Sequence, residues 1–311
     1  MSASQFSVLE TKSSLDIGGS VQEYRWVWKG KSITVTYEVL GEGQPVLLLP
    51  ALSSVSTRGE MRGLATRLAE QFQVVAVDWV GFGQSTRAAF KYQPAIYHAF
   101  LRDFVRSAFS RPVVAIAAGH AAGYVMELAR QQPSLWAYVI LVAPTWRGPL
   151  PTAMGEYRSF YKVLGKLVRL PILGQFLYFL NTLPPILRFM YQRHVYANPR
   201  NVTANLISQK WRTTRQRGAR FAAAAFVTGA LDPVHRRMDF LSYFQPLPVP
   251  SLVVIGEQTP AKSRAEMEVL VHFSGVQVYR MPGSLGLHEE YADLLLEGIL
   301  PFLNKYLSNS L

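Results

Sequence analysis

The chain of 311 residues contains no cysteine, which excludes disulfides, thiolate metal sites and a cysteine nucleophile. Charge is also sparse. Only 17% of residues are Asp, Glu, Lys or Arg against 49% apolar, which excludes a disordered or fibrous chain and leaves material for a large core. Residues 1–16 mix Ser, Gln, Glu, Lys and Asp without an apolar segment, so no cleaved secretory signal is expected. The longest apolar stretch, 171–187, is interrupted by Gly174, Gln175, Asn181 and the pair Pro184-Pro185, a pattern unsuited to a straight membrane span. There is no metal-ligand spacing and no nucleic-acid motif. Nor does a Gly-rich phosphate loop followed by Lys-Ser or Lys-Thr occur. No metal, no cofactor and no nucleic-acid partner are therefore expected.

Acidic residues are missing from one region in particular. Residues 147–220 hold thirteen Lys and Arg but a single acid, Glu156. The whole net charge of +12 therefore lies in this segment, and the remainder of the chain is balanced. The same segment is rich in Leu, Phe, Tyr and Pro. Lys162, Lys166 and Arg169 recur at i, i+4 and i+7, one face of a helix, with Phe160, Val163, Leu164, Leu167 and Val168 toward the other. Such a helix is suited to an anionic membrane interface, apolar side down and basic side among headgroups. The alternative is a lid whose apolar face covers a pocket and whose basic residues are solvated.

Outside this segment the pattern alternates strand and helix. Strands are expected at 24–28, 33–40, 45–49, 73–77, 112–117, 138–142, 250–255 and 276–281, several of them continuous apolar runs. Helices are expected at 57–70, 95–109, 122–130, 263–271 and 291–307. This alternation predicts βαβ units and a mostly parallel sheet. Residues 1–146 and 246–311 would form the two halves of one core, with 147–245 a basic, apolar helical cap inserted between them.

Four segments, in order, resemble the α/β-hydrolase family: LLLPALSS (47–54), AVDWVGFGQS (76–85), AIAAGHAAGY (115–124) and MPGSLGLHEEY (281–291). The first resembles the oxyanion loop, the third the nucleophile elbow and the fourth the loop of the catalytic histidine. The segments GHAAGY, GEQTP and GSLGLHEE are similar to family members of cyanobacterial and plastid type. That likeness implies a cytoplasmic protein peripheral to a thylakoid or plasma membrane. The elbow pattern G-x-S-x-G aligns on Gly119, His120, Ala121, Ala122 and Gly123, so the nucleophile position falls on Ala121, which cannot attack a carbonyl. The acid position falls on Thr259, which carries no charge to orient a histidine. His288 is the surviving triad position. By the same resemblance Leu52 and Ala122 would supply oxyanion N–H groups, and Ser53 and His120 would line the pocket.

Three functions remain open on this reading. The first is non-catalytic binding of a lipophilic small molecule or a protein partner at a membrane surface. The second is an atypical hydrolase or lyase of lipophilic esters, in which His288 works with Ser53 or Glu257 and Ser284 is a further candidate nucleophile. The third is an assembly factor docking on a membrane complex. Asp78 and Asp232 read as turn or capping residues.

Overall fold

In the computed structural model, residues 15–155 and 159–307 are described. Eight strands form one sheet: β1 (Ser20–Trp28), β2 (Lys31–Leu40), β3 (Gln44–Leu49), β4 (Phe72–Val77), β5 (Val113–Ala118), β6 (Trp136–Val142), β7 (Ser251–Gly256) and β8 (Val276–Met281). Their order is β1-β2-β4-β3-β5-β6-β7-β8. β1 and β2 pair antiparallel, as do β2 and β4, and every other pairing is parallel. β5 and β7 are buried along their whole length. Both faces of the sheet are covered, which is why these strands read as unbroken apolar runs and not as alternation.

The connecting helices of the core are α1 (Arg62–Leu68), α2 (Pro94–Ala108) and α3 (Ala121–Gln131). From β3 the chain steps outward to β4, then returns past β3 to β5. Right-handed crossovers in opposite directions place α1 on one face and α2 and α3 on the other. Between β6 and β7 the chain inserts α4 (Pro149–Met154), α5 (Ser159–Arg169), α6 (Leu173–Asn181), α7 (Pro184–Met190), α8 (Ala204–Thr214), α9 (Ala219–Val227) and α10 (Arg237–Leu241), with a π-helical turn at Tyr191–Val195. The core closes with α11 (Ala261–Leu270), the short α12 (Leu287–Glu290) and α13 (Ala292–Leu307), which packs against α1. The helix expected at 57–70 begins as a 3-10 turn, Arg58–Met61, and only then becomes α1.

That 3-10 turn carries a fully buried arginine. Arg58 Nε donates to Glu38 Oε2 at 2.8 Å, one terminal nitrogen to Asp78 Oδ2 at 2.5 Å and the other to Gln84 Oε1 at 2.7 Å. Its backbone N–H also donates to Asp78 Oδ1. Glu38 accepts further bonds from the N–H groups of Ile17 and Gly19. Asp78 accepts from Gln84 N–H, and a Cβ on Gly83 would lie 1.9 Å from the Asp78 carboxyl carbon. Gly83, at φ +52°, must therefore be glycine for this turn to close over the carboxylate. Asp78 therefore makes the turn and capping contacts expected of it, from Gln84 N–H and Arg58 N–H, and is in addition the buried ion-pair partner of Arg58.

Removing the guanidinium would leave two buried carboxylates without a counter-charge. Arg58→Met is expected to destabilise the protein by about 3–5 kcal/mol, read as a lower urea midpoint. Burial alone would raise the Glu38 pKa, but the hydrogen bonds from Ile17 N–H, Arg58 and Gly19 N–H outweigh it and hold the carboxyl below its ordinary value. A depressed folded-state pKa contributes stability above the unfolded pKa, and that stability is lost as pH falls through the folded value. The contribution of Glu38 to stability should therefore be lost as pH drops below the ordinary carboxylate range. Glu38→Gln should show a shallower acid slope in the same denaturation series.

Candidate functional site

The reversal of strand order puts the carboxyl ends of β3 and β5 side by side, the crevice where open α/β sheets place ligands. The loop 50–56 leaves β3 and a sharp turn leaves β5. The turn residue is Gly119, at φ +51°. Its N–H donates to Val142 O at 2.9 Å, and its carbonyl accepts from Thr145 N at 3.0 Å and Ala122 N at 3.3 Å. A Cβ built on Gly119 would sit 3.2 Å from Ala51 Cβ and 3.8 Å from Thr145 Oγ1, so it would face the loop after β3.

This corrects the alignment of the elbow. An elbow displays the side chain of the residue at the strained strand-to-helix turn. Here β5 stays paired with β6 as far as Ala118, and the turn falls on Gly119. Ala121 is two residues further on, the first residue of α3 and fully buried. Ala122, expected to offer an oxyanion donor, has its N–H bonded to Gly119 O inside the turn. The first N–H after the turn is that of His120. At the loop, the N–H of Ala51 is taken by Glu60 Oε1 at 2.7 Å. Leu52 is buried beside it and Ser53 is half-buried, with Ser53 Oγ accepting from Val55 N–H at 3.3 Å.

His288 lies on α12 and is buried. Its Nε2 is 3.3 Å from Glu60 Oε1, and its Nδ1 is buried without a hydrogen-bond partner. Glu60 Oε1 also accepts from Ser56 Oγ at 3.3 Å. The carboxylate that faces His288 thus comes from the 3-10 turn after β3. Thr259 is buried and its Oγ1 has no partner, while Glu257 is exposed. Ser284 donates its hydroxyl to His194 O at 2.9 Å, which commits it to the loop.

The cap completes this cluster. Lys210, buried on α8, places Nζ 2.7 Å from Glu289 Oε1 and 5.7 Å from the centre of the Tyr191 ring. Burial would lower the Lys210 pKa, but the charges of Glu289 and Glu60 outweigh it and hold the ammonium above its ordinary value. Burial, helped by Glu289 and Glu60, raises the Tyr191 pKa well above normal. Burial and a hydrogen bond to Glu289 raise that of Tyr196. Both phenols are therefore neutral donors at physiological pH. The group can hold and move protons, yet the elbow offers no nucleophile to it. Among the described residues, no three His, Asp or Glu side chains are grouped as a metal site.

The second histidine is anchored from the cap. His120 Nε2 lies 2.9 Å from Leu231 O and 3.3 Å from Asp232 Oδ1, and Asp232 Oδ1 also accepts from Gly148 N–H at 2.7 Å. Asp232 joins both roots of the cap to the elbow. Its role, like that of Asp78, goes beyond a turn. Sequence reasoning missed Glu60, Lys210 and Glu289. Only the Glu289-Glu290 pair beside His288 hinted at them. Of the three basic residues expected at a membrane, Lys166 and Arg169 are exposed on α5, and the side chain of Lys162 lies outside the described residues.

A family model described as "Alpha/beta hydrolase family" matches residues 46–294. Among solved structures, a probable hydrolytic enzyme from Pseudomonas aeruginosa PAO1 is similar with TM-score 0.69 and 17% identity, covering 92% of this chain and 97% of the other. Bromoperoxidase from Bacillus anthracis gives TM-score 0.68 at 15% identity over 91% and 100% of the two chains. The enol-lactonase from Burkholderia xenovorans LB400 gives 0.63 at 16% over 90% and 100%. At these identities the likeness shows the fold alone. Uncharacterized proteins of Mycobacterium bovis and Mycobacterium tuberculosis are 30% identical over 107 residues, which is 34% of this chain and 31% of their own length.

The position of the turn makes a direct prediction. Fluorophosphonate probes should leave the native protein and Ala121→Ser unlabelled, because residue 121 is inside α3. Gly119→Ser, combined with Ala51→Gly to relieve the 3.2 Å contact, should become labelled. Mass spectrometry of the labelled peptide distinguishes the sites. Labelling of Ala121→Ser alone would return the elbow to residue 121.

Proposed function

The chain belongs to the alpha/beta hydrolase family, and on that premise we propose that it binds a lipophilic small molecule at an anionic membrane surface without acyl-enzyme chemistry. The observation that carries this reading is Gly119 at the elbow. Where a hydrolase of this fold presents its nucleophile, this chain presents a hydrogen atom, and the Ser56 and Ser284 hydroxyls are bonded to Glu60 and to His194 O.

The membrane part of the reading is supported by the cap. Large apolar side chains are exposed on α5–α7 and their connections: Ile172 is 86% exposed, Phe189 62%, Phe176 56% and Val163 56%. An apolar surface of this extent marks an interaction site, and here it is interleaved with the exposed Lys166 and Arg169. Among the described residues no single helix is long and apolar enough to cross a membrane. The segments Val163–Arg169 and Leu173–Asn181 form an apolar pair bent by 104°. A bent, basic, apolar pair suits the interfacial plane.

A second reading rests on the 3.3 Å contact of His288 with Glu60. This pair can transfer a proton to or from a bound lipophilic substrate, a lyase- or isomerase-type step that needs no nucleophile. Turnover that follows a titrating base and survives fluorophosphonate treatment would favour it over binding alone.

Sedimentation with liposomes tests the membrane reading. Binding should rise with anionic lipid content and weaken as salt shortens the screening length to roughly 8 Å at 0.15 M. At about 1 kcal/mol per basic residue near the surface, reversing Lys162, Lys166 and Arg169 to glutamate should lower partitioning by more than about a hundredfold. Equal binding to neutral and anionic vesicles, or binding to neither, would overturn it.

A further inference from the structure

The two ends of the sheet differ. At one, β8 is six residues long, and its charged residue, Arg280, is committed to both oxygens of Glu268 at 2.6 and 2.7 Å. At the other, β1 runs for nine residues and pairs with β2 alone among the described residues. A long open edge invites another strand, and proteins blunt such edges with proline, lysine or a bulge. Residues 20–28 contain no proline and no lysine, and the register of β1 with β2 runs without a shift.

The hairpin fixes which backbone groups face outward. Its loop is two residues, Lys29 and Gly30, both at positive φ (48° and 74°), the type I′ geometry. In such a hairpin the closing pair, Trp28 with Lys31, exchanges both of its hydrogen bonds, and the alternation runs back from there. Ser20, Gln22, Tyr24, Trp26 and Trp28 therefore bond to β2. Val21, Glu23, Arg25 and Val27 turn their N–H and C=O groups to the open edge. The side chains of these four residues share one face of the sheet, and all four are exposed, Val21 and Val27 by more than half. The other face of β1 packs on α2, where Trp26 Nε1 donates to Asp103 Oδ2 at 3.0 Å. Neither Glu23 nor Arg25 is in an ion pair among the described residues.

The outward-facing set is complementary to itself. When two copies of β1 lie antiparallel about a two-fold axis at Tyr24, Val21 of each copy faces Val27 of the other, and Glu23 of each faces Arg25 of the other. The two adjacent registers that keep outward groups opposite one another set Glu23 against Glu23 or Arg25 against Arg25. Opposite charges across strands stabilise a pairing and like charges oppose it. One register is thus selected, and it is also the one in which all nine residues overlap. We propose that β1 is a self-association surface, through which two copies of this chain pair edge to edge and join their sheets into one. The contact is isologous, so it closes at a dimer, and four hydrogen-bonded residue pairs give it about eight inter-strand bonds. Strands β2 and β4 separate β1 from the crevice beside β3, so the dimer is independent of what the crevice or the cap binds.

The test is sedimentation velocity of the full chain from nanomolar to millimolar concentration. The native chain should pass from monomer to dimer. Glu23→Arg and Arg25→Glu each set like charges opposite one another at two places in the dimer, and each should weaken its Kd by roughly tenfold or more. The double variant Glu23→Arg with Arg25→Glu exchanges the charges and should restore the native Kd, an outcome specific to this register. The absence of cysteine from the chain allows a second measurement. In the proposed register the Cα atoms of residue 24 in the two copies lie about 4.5 Å apart, within reach of a disulfide. Tyr24→Cys should therefore give a covalent dimer on mild oxidation. A monomer at every concentration, a dimer that both single reversals leave intact, or a double variant as weak as the single ones would overturn the proposal.

Discussion

A single buried guanidinium organises the region from which the candidate site is built. Arg58 joins β2 through Glu38, the end of β4 through Asp78 and the following turn through Gln84. Two residues after Arg58 the same 3-10 turn presents Glu60 to Ala51 and His288. Glu60 can be held there because the turn is pinned from behind. Buried ion pairs of this kind seldom stabilise a fold more than apolar packing would, but breaking one strands a charge.

The cap is joined to the core by the same polar logic. Asp232 ties Gly148 and the end of the cap to His120 at the elbow. Glu290 accepts from Ala197 N–H, Asn198 N–H and the Asn201 amide, while Gly286 N–H donates to Val195 O. The loop bearing His288 and the cap segment that follows α7 therefore form one unit. A small apolar cluster of Leu187, Tyr191, Tyr196, Val202 and Ile207 closes on Val55 from the loop after β3. Anchored on its inner side in this way, the cap is free to leave its outer side apolar.

The chemistry of the site follows from what stands at the crevice. A left-handed glycine occupies the turn, so charge cannot be delivered to a bound carbonyl by a side chain there. Ala51, which faces it, is bonded to Glu60, and Glu60 in turn meets His288; the cap adds Lys210 with Glu289 and two phenols. Each pair joins residues far apart in the chain, and the second joins cap to core.

Much of the fold was legible because its signals are local. Continuous apolar runs such as VVAIAA and SLVVIG can be satisfied only by strands covered on both faces, and β5 and β7 fall within a residue or two of their expected positions. The concentration of basic residues in 147–220 was also visible directly. The sequence places the elbow two residues late, because the flanking glycines of G-x-S-x-G match Gly119 and Gly123, whereas the structure uses the small residues Ala117 and Ala121 at those positions. Only the pairing of β5 with β6 as far as Ala118 decides which residue must turn. Glu60 and Lys210 carry no signal of their own, since a lone acid or lysine in a helix or turn reads as solvated, and Asp232 reads only as a turn or capping residue. Their roles arise from distances closed by the sheet crossover and by the cap folding back. Sequence by itself determined which segments must be buried and where charge accumulates. Tertiary structure decided which charges meet, because ion pairing depends on separation in space and the chain encodes only separation along itself.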